Sequence, residues 1–159
     1  MVEKKWKALQ SAAAEYYRAG DDLLEGDDAV DVLREVFASG RSQHAALRLI
    51  HDRAPDRPEL VRALLPELFH SALGDGPFAN RARWVLAGLR ADMRDPQLEK
   101  LAAREIDHAD PERWEELRAL AVLLEQVGRL DLLERLKDAV RDSPEEALQW
   151  IAEDFPEFG

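Results

Sequence analysis

Apolar positions along the chain recur at three- and four-residue spacing, and turn residues cut that pattern into nine segments. This is the period of a helix that buries one face. The first segment, about 3–19, carries Trp6, Leu9, Ala13, Tyr16 and Tyr17, and Gly20 is expected to end it. A short acidic link, 21–27, holds Leu23 and Leu24. Helices are then expected over about 28–39, stopping at Gly40, and over 42–53, before Pro55. The fourth starts near Pro58 and presents Val61, Leu64, Leu65, Leu68 and Phe69, with Pro66 predicted to cut its hydrogen bonding. After a break at 74–77 come segments at 78–90, 96–106, 111–127, 130–141 and 144–152. The acidic tail holds Phe155 and Phe158, which are expected to fray or fold back.

Composition turns this pattern into a fold class. Leu and Ala occur 24 times each, whereas Val and Ile together number 12 and Thr is absent. Stiff β-branched side chains suit sheets, while Leu, Ala, Arg and Glu lose little rotamer freedom in a helix. The fold is therefore expected to be all-α. At 159 residues a single domain, 1–159, with a real core is expected. There is no Cys, which removes disulfides, thiolate chemistry and Cys-ligated zinc. No apolar run approaches the roughly 20 residues of a membrane span, and the start lacks a signal-peptide apolar stretch. A cytoplasmic protein is expected. Arg outnumbers Lys 17 to 5, which together with the Ala and Leu excess suggests a GC-rich bacterial source.

Three breaks share a form: Asp75-Gly-Pro77, Asp110-Pro111 and Asp142-Ser-Pro144. An Asp before Pro is helix-start chemistry, because its carboxylate accepts orphan backbone N–H groups. The spacing of 32–35 residues, with Gly40 a further 35 upstream, matches a two-helix repeat. The chain divides into a capping helix and link, 1–26, helix pairs at 27–54, 57–92, 95–128 and 130–153, and a tail at 154–159.

The stretch Leu64-Leu65-Pro66-x-Leu68, the turn Asp75, Arg81-Ala82 and Val85-Leu86-x-x-Leu89 resembles one HEAT-type repeat. The 95–128 unit departs from the pattern at Glu115 and Glu116, and 27–54 lacks the turn Asp. The resemblance implies a short right-handed αα-solenoid of HEAT-like pairs with an N-terminal capping helix. An irregular helical bundle is the alternative architecture.

Catalytic patterns are missing: no phosphate loop, no HExxH, no GxSxG and no EF-hand loop occurs. The cluster Asp107-His108-Ala109-Asp110 is accounted for by an interhelix turn with Asp110 as a cap. His51 and His70 follow apolar runs and are read as surface or capping residues. No catalytic residue, metal or cofactor is assigned. Lys4, Lys5 and Lys7 are too few for a membrane anchor.

The four Trp divide. Trp6, Trp114 and Trp150 fall on or beside apolar stripes and are expected in the core, whereas Trp84 points almost opposite the stripe of its helix. It is either an interface anchor or a filler against a neighbouring repeat. As an anchor it would have Arg48, Arg81, Arg83, Arg113 and Arg118 as companions on the same layer.

Net charge of −11 opposes nucleic acid, whose phosphates demand basic surface, and suits a basic protein partner. The favoured function is a non-catalytic protein–protein interaction module: an adaptor, scaffold or regulator. The HEAT-like resemblance extends this to bacterial immunity-type proteins. It also implies an alternative, a nucleic-acid-processing enzyme of the DNA glycosylase kind. That enzyme would use a basic patch formed by Arg81, Arg83, Arg90 and Arg94.

Overall fold

The computed structural model describes residues 1–74 and 76–154. The turn Asp75 and the tail phenylalanines Phe155 and Phe158 lie outside the described residues. Among the described residues there are ten α-helices, two 3-10 turns and no strand, so the chain is all-α. It divides into two compact units, Met1–Ser42 and a second beginning at Gln43.

In the first unit, α1 (Val2–Glu25) runs straight through Gly20, which is buried with Leu24 on the helix's apolar stripe. Gly20 therefore does not end the helix. Leu23 and Leu24 extend the apolar pattern by one more turn, and the chain leaves helical geometry at Gly26, whose N–H donates to the Leu23 carbonyl. Then α2 (Ala29–Ser39) packs on α1, burying Ala29 and Leu33. Gly40 closes it in the left-handed conformation at φ +69°, which a side chain rarely tolerates.

The second unit starts with α3 (Gln43–Arg53) and a 3-10 turn, Ala54–Asp56. Pro66 splits the next segment into α4 (Pro58–Ala63) and α5 (Leu65–Ala72), as its missing N–H requires. There follow α6 (Gly76–Gly88), α7 (Ala91–Asp107), a 3-10 turn at Pro111–Arg113 and α8 (Trp114–Gln126). Helices α9 (Leu130–Arg141) and α10 (Glu146–Asp154) complete it. Pro96, expected at a helix start, lies inside α7, which begins five residues earlier.

Neighbours in this unit are regular. Helix α5 packs along α6 and beside α7, and α7 packs beside α9. Helix α3 lies against α6, α6 against α8, and α8 against α10. Between them Leu47, Ile50, Leu65, Leu68, Leu86, Leu98, Leu120 and Leu132 are fully buried, each side chain contributing roughly 1.5–3 kcal/mol of transfer free energy.

Of the repeated Asp turns, Asp110 behaves as expected, accepting from the Glu112 N–H at 3.0 Å. At the α9–α10 turn Asp142 stands at the end of α9, and the Ser143 hydroxyl accepts from the Glu145 N–H at 3.3 Å just ahead of α10. Trp6 and Trp150, expected in the core, are 57% and 46% exposed. Burial on α1 is confined to Gly20 and Leu24, and α10 turns Leu148 and Ile151 inward, leaving the intervening Trp150 outside.

Two buried arginines hold helix ends together. The last carbonyls of a helix have no intrahelical partner and carry partial negative charge, so a buried guanidinium satisfies them well. Arg94, 5% exposed, reaches the Leu89 carbonyl at 3.2 Å and those of Leu86 and Ala87 at 3.4 Å, all at the end of α6. Its other terminal nitrogen donates to the Val127 carbonyl at 3.2 Å, at the end of α8, and Nε donates to Asp95 at 2.8 Å. One side chain thus fixes α6, α7 and α8 together. Arg83, 8% exposed, donates to the Ala72 carbonyl at 2.7 Å and so caps α5, with Asn80 as its second acceptor.

Candidate surface site on α3, α6 and α8

Helix α6 stands between α3 and α8, and this placement decides what its outer face can do. Its sequence is rich in Ala and Arg, and Ala79, Ala82, Val85 and Leu86 face inward. Trp84 lies on the opposite side and is 51% exposed, so it does not fill a gap in the core. The ring is held nonetheless: it leans on His51 of α3 with centroids 4.3 Å apart. Phe78, 44% exposed, meets His44 of α3 edge-on at 5.1 Å.

The seam between α3 and α6 therefore carries two outward aromatics, each backed by a histidine. Arg48 sits one turn from both histidines on α3, and Arg81 one turn from both aromatics on α6. Arg48 is exposed and approaches Asp52 at 3.5 Å. One terminal nitrogen of Arg81 is buried without a hydrogen-bond partner among the described residues. An aromatic stacked on a neighbour loses little conformational entropy when it is covered, which is why such side chains anchor interfaces.

On its other flank α6 forms with α8 an open cleft of about 440 Å³, lined by Asn80, Arg83, Trp114, Glu115, Arg118 and Val122. The residues singled out in the sequence are therefore distributed unevenly. Trp84, Arg48 and Arg81 belong to the seam, and Arg118 to the cleft. Arg83 reaches the cleft wall, but its guanidinium is committed to the end of α5. Arg113 is turned toward α7, paired with Glu105 at 2.7 Å and with Glu116, and these carboxylates hold it above its usual pKa, the Glu116 hydrogen bond foremost.

The basic patch of Arg81, Arg83, Arg90 and Arg94 does not form as one surface. Arg83 and Arg94 are buried as helix caps, and Arg90 folds onto Asp92 with bonds of 2.6 and 3.0 Å. Sequence spacing alone cannot distinguish a buried guanidinium from an exposed one. The seam histidines were equally hidden, since His44 and Phe78 meet only through tertiary packing.

At the Asp107–Asp110 turn, His108 Nδ1 donates to the Arg104 carbonyl at 2.8 Å and Asp110 caps the next turn, so both side chains are engaged locally. Among the described residues no group of three or more His, Asp or Glu is gathered to hold a metal ion. No helix among them is long and apolar enough to cross a membrane. No protein-family model, curated protein or solved structure matches this chain.

Proposed function

We propose that the protein is a non-catalytic protein–protein interaction module, an adaptor, scaffold or immunity-type regulator. The second unit is read as a short HEAT-like αα-solenoid. That reading is supported by the ordered contacts of α5, α7 and α9 on one side and of α3, α6, α8 and α10 on the other. A partner protein docks on the second of these rows, across the α3–α6 seam.

The observation that carries this reading is the exposed Trp84 ring braced against His51 in the middle of that row. Phe78, Arg48 and Arg81 surround it with the residue types that dominate interface energetics. The net charge of −11 steers the molecule toward a positively charged partner. A cytoplasmic location and a bacterial source fit this reading. The glycosylase alternative receives less support, because two arginines of its basic face are buried and a third is tied to Asp92.

The test is affinity capture from the native host with the wild-type protein and Trp84→Ala in parallel. A protein retained by the first and lost by the second, with helical circular dichroism unchanged, supports the proposal. Equal retention by both would sink it, and retention of DNA in place of protein would favour the enzyme.

A further inference from the structure

The α3–α6 seam is locally cationic in a chain whose net charge is −11. Helix α6 carries Arg81 and Arg83 and neither Asp nor Glu, and α3 carries Arg48 and Arg53 against Asp52 alone. The ring contacts fix how the two helices are matched. His44 meets Phe78 at one end of the seam, and His51 meets Trp84 at the other. Helical spacing puts Arg48 one turn from each histidine and Arg81 one turn from each aromatic. Both arginines therefore fall in the middle of the seam, on opposite helices. Two like charges are brought together there, and α6 offers no carboxylate to set between them.

The chain matches this pair of cations only in part. Asp52 approaches Arg48 Nε at 3.5 Å, and the same carboxylate lies 3.5 Å from His51 Nδ1. Arg81 makes no hydrogen bond or ion pair among the described residues, and one of its terminal nitrogens is already out of solvent. A guanidinium that has lost water without finding an acceptor forms a charge-assisted hydrogen bond at low further desolvation cost. Its planar fork fits a carboxylate. A run of phosphates suits the seam poorly, because two arginines cannot offset the repulsion between a polyanion and so acidic a chain.

We infer that the α3–α6 seam receives an acidic segment of its protein partner, an Asp or Glu carboxylate set between Arg48 and Arg81 with apolar neighbours on Trp84 and Phe78. This rests on the docking seam proposed above and names the chemistry it selects. It is compatible with a partner of positive net charge. The −11 acts over roughly 8–10 Å on the partner's whole surface and sets the encounter, whereas the two arginines act at contact and fix register.

Short random peptides displayed on phage and panned on the full chain test the inference. The selected peptides are expected to carry Asp or Glu beside an apolar or aromatic residue. Replacing the acid of one such peptide by its amide weakens binding about tenfold or more, read by fluorescence anisotropy. In Arg81→Gln the difference between acid and amide falls below about threefold, because the group that distinguishes them is gone. Arg48→Gln acts alike, and its exposed position keeps the test open should Arg81→Gln disturb the fold. Trp84→Ala weakens the acid and amide forms by the same factor. Selected peptides rich in Lys or Arg that still need Trp84 would overturn the inference and leave the docking seam standing. Peptides indifferent to Trp84→Ala would overturn both. The inference also falls if no peptide is selected, or if both arginine variants keep the full difference between acid and amide. Single-stranded DNA binding more tightly than any peptide would overturn it as well.

Discussion

Helices α1 and α6 make opposite use of their sequences. The first has 24 residues with a continuous apolar stripe, and only Gly20 and Leu24 are buried. The second has 13 residues with a weaker stripe interrupted by arginines, and Ala79, Ala82, Arg83, Val85 and Leu86 are all buried. Amphipathic patterning shows which face a helix would bury given a neighbour, and it does not supply the neighbour. Helix α6 has three, α3, α5 and α8, and they enclose even its Arg83. Burial on α6 follows position in the packing more than apolar content.

The strongest way to break the α6 side of this comparison is to remove the clamp at its end. Arg94→Met is expected to destabilise the second unit by about 3–5 kcal/mol, because carbonyls at the ends of α6 and α8 and the Asp95 carboxylate lose a buried cationic partner. The shift of the urea midpoint measures it, and a loss below about 1 kcal/mol would show that water replaces the guanidinium. Next in size is Trp84→Ala, expected to cost partner binding about 2 kcal/mol, roughly thirtyfold, with a stability change under about 0.5 kcal/mol. Calorimetric titration against the captured partner and a parallel melt separate the two effects.

A smaller effect is expected at the turn between α8 and α9. Arg129 holds both carboxylate oxygens of Asp131, at 2.7 and 2.8 Å, and reaches Glu99 at 3.3 Å. The Arg129 hydrogen bond, helped by the Leu132 N–H, lowers the Asp131 carboxyl from 3.8 to about 2. A carboxyl depressed on folding contributes stability above its unfolded pKa and loses it as pH falls through the folded value. Urea midpoints should therefore fall between about pH 4 and about pH 2, and fall less steeply in Asp131→Asn. The side chain is largely exposed, so solvent screening keeps the contribution small. Smallest of all is Trp6→Ala, expected to change the stability of the monomer by less than about 0.5 kcal/mol despite deleting the largest side chain on α1. A loss of 2 kcal/mol or more in dilute solution would show that the stripe is covered within one chain, and would erase the contrast with α6.

The elements themselves were legible in the sequence because their causes are local. Gly40 ends α2 by its left-handed φ, and Pro66 splits α4 from α5 by its missing N–H. Asp110 caps its turn with its own carboxylate. The readings that failed depended on which side of a helix its neighbours cover. Gly20 was expected to stop a helix that continues to Glu25, and Trp150 was placed in a core that Leu148 and Ile151 occupy instead. Of the six residues proposed as a binding layer, Trp84, Arg48 and Arg81 gather at one seam, Arg118 lines the adjoining cleft, Arg83 is buried as a helix cap, and Arg113 is ion-paired toward α7.

The sequence by itself determined an all-α chain, the spacing of its turns and the placement of Trp84 off the apolar stripe of its helix, while its exposure is a tertiary outcome. The first three follow from backbone sterics, side-chain rotamer freedom and the period of 3.6 residues. Only the tertiary structure decided which arginines are surface and which are structural. A guanidinium becomes a buried clamp when carbonyls from separate helices converge on it, as Leu89 and Val127 do on Arg94, 5 and 33 residues away. It decided equally that His44 and His51 support Phe78 and Trp84, since that contact joins two helices whose adjacency no local pattern encodes.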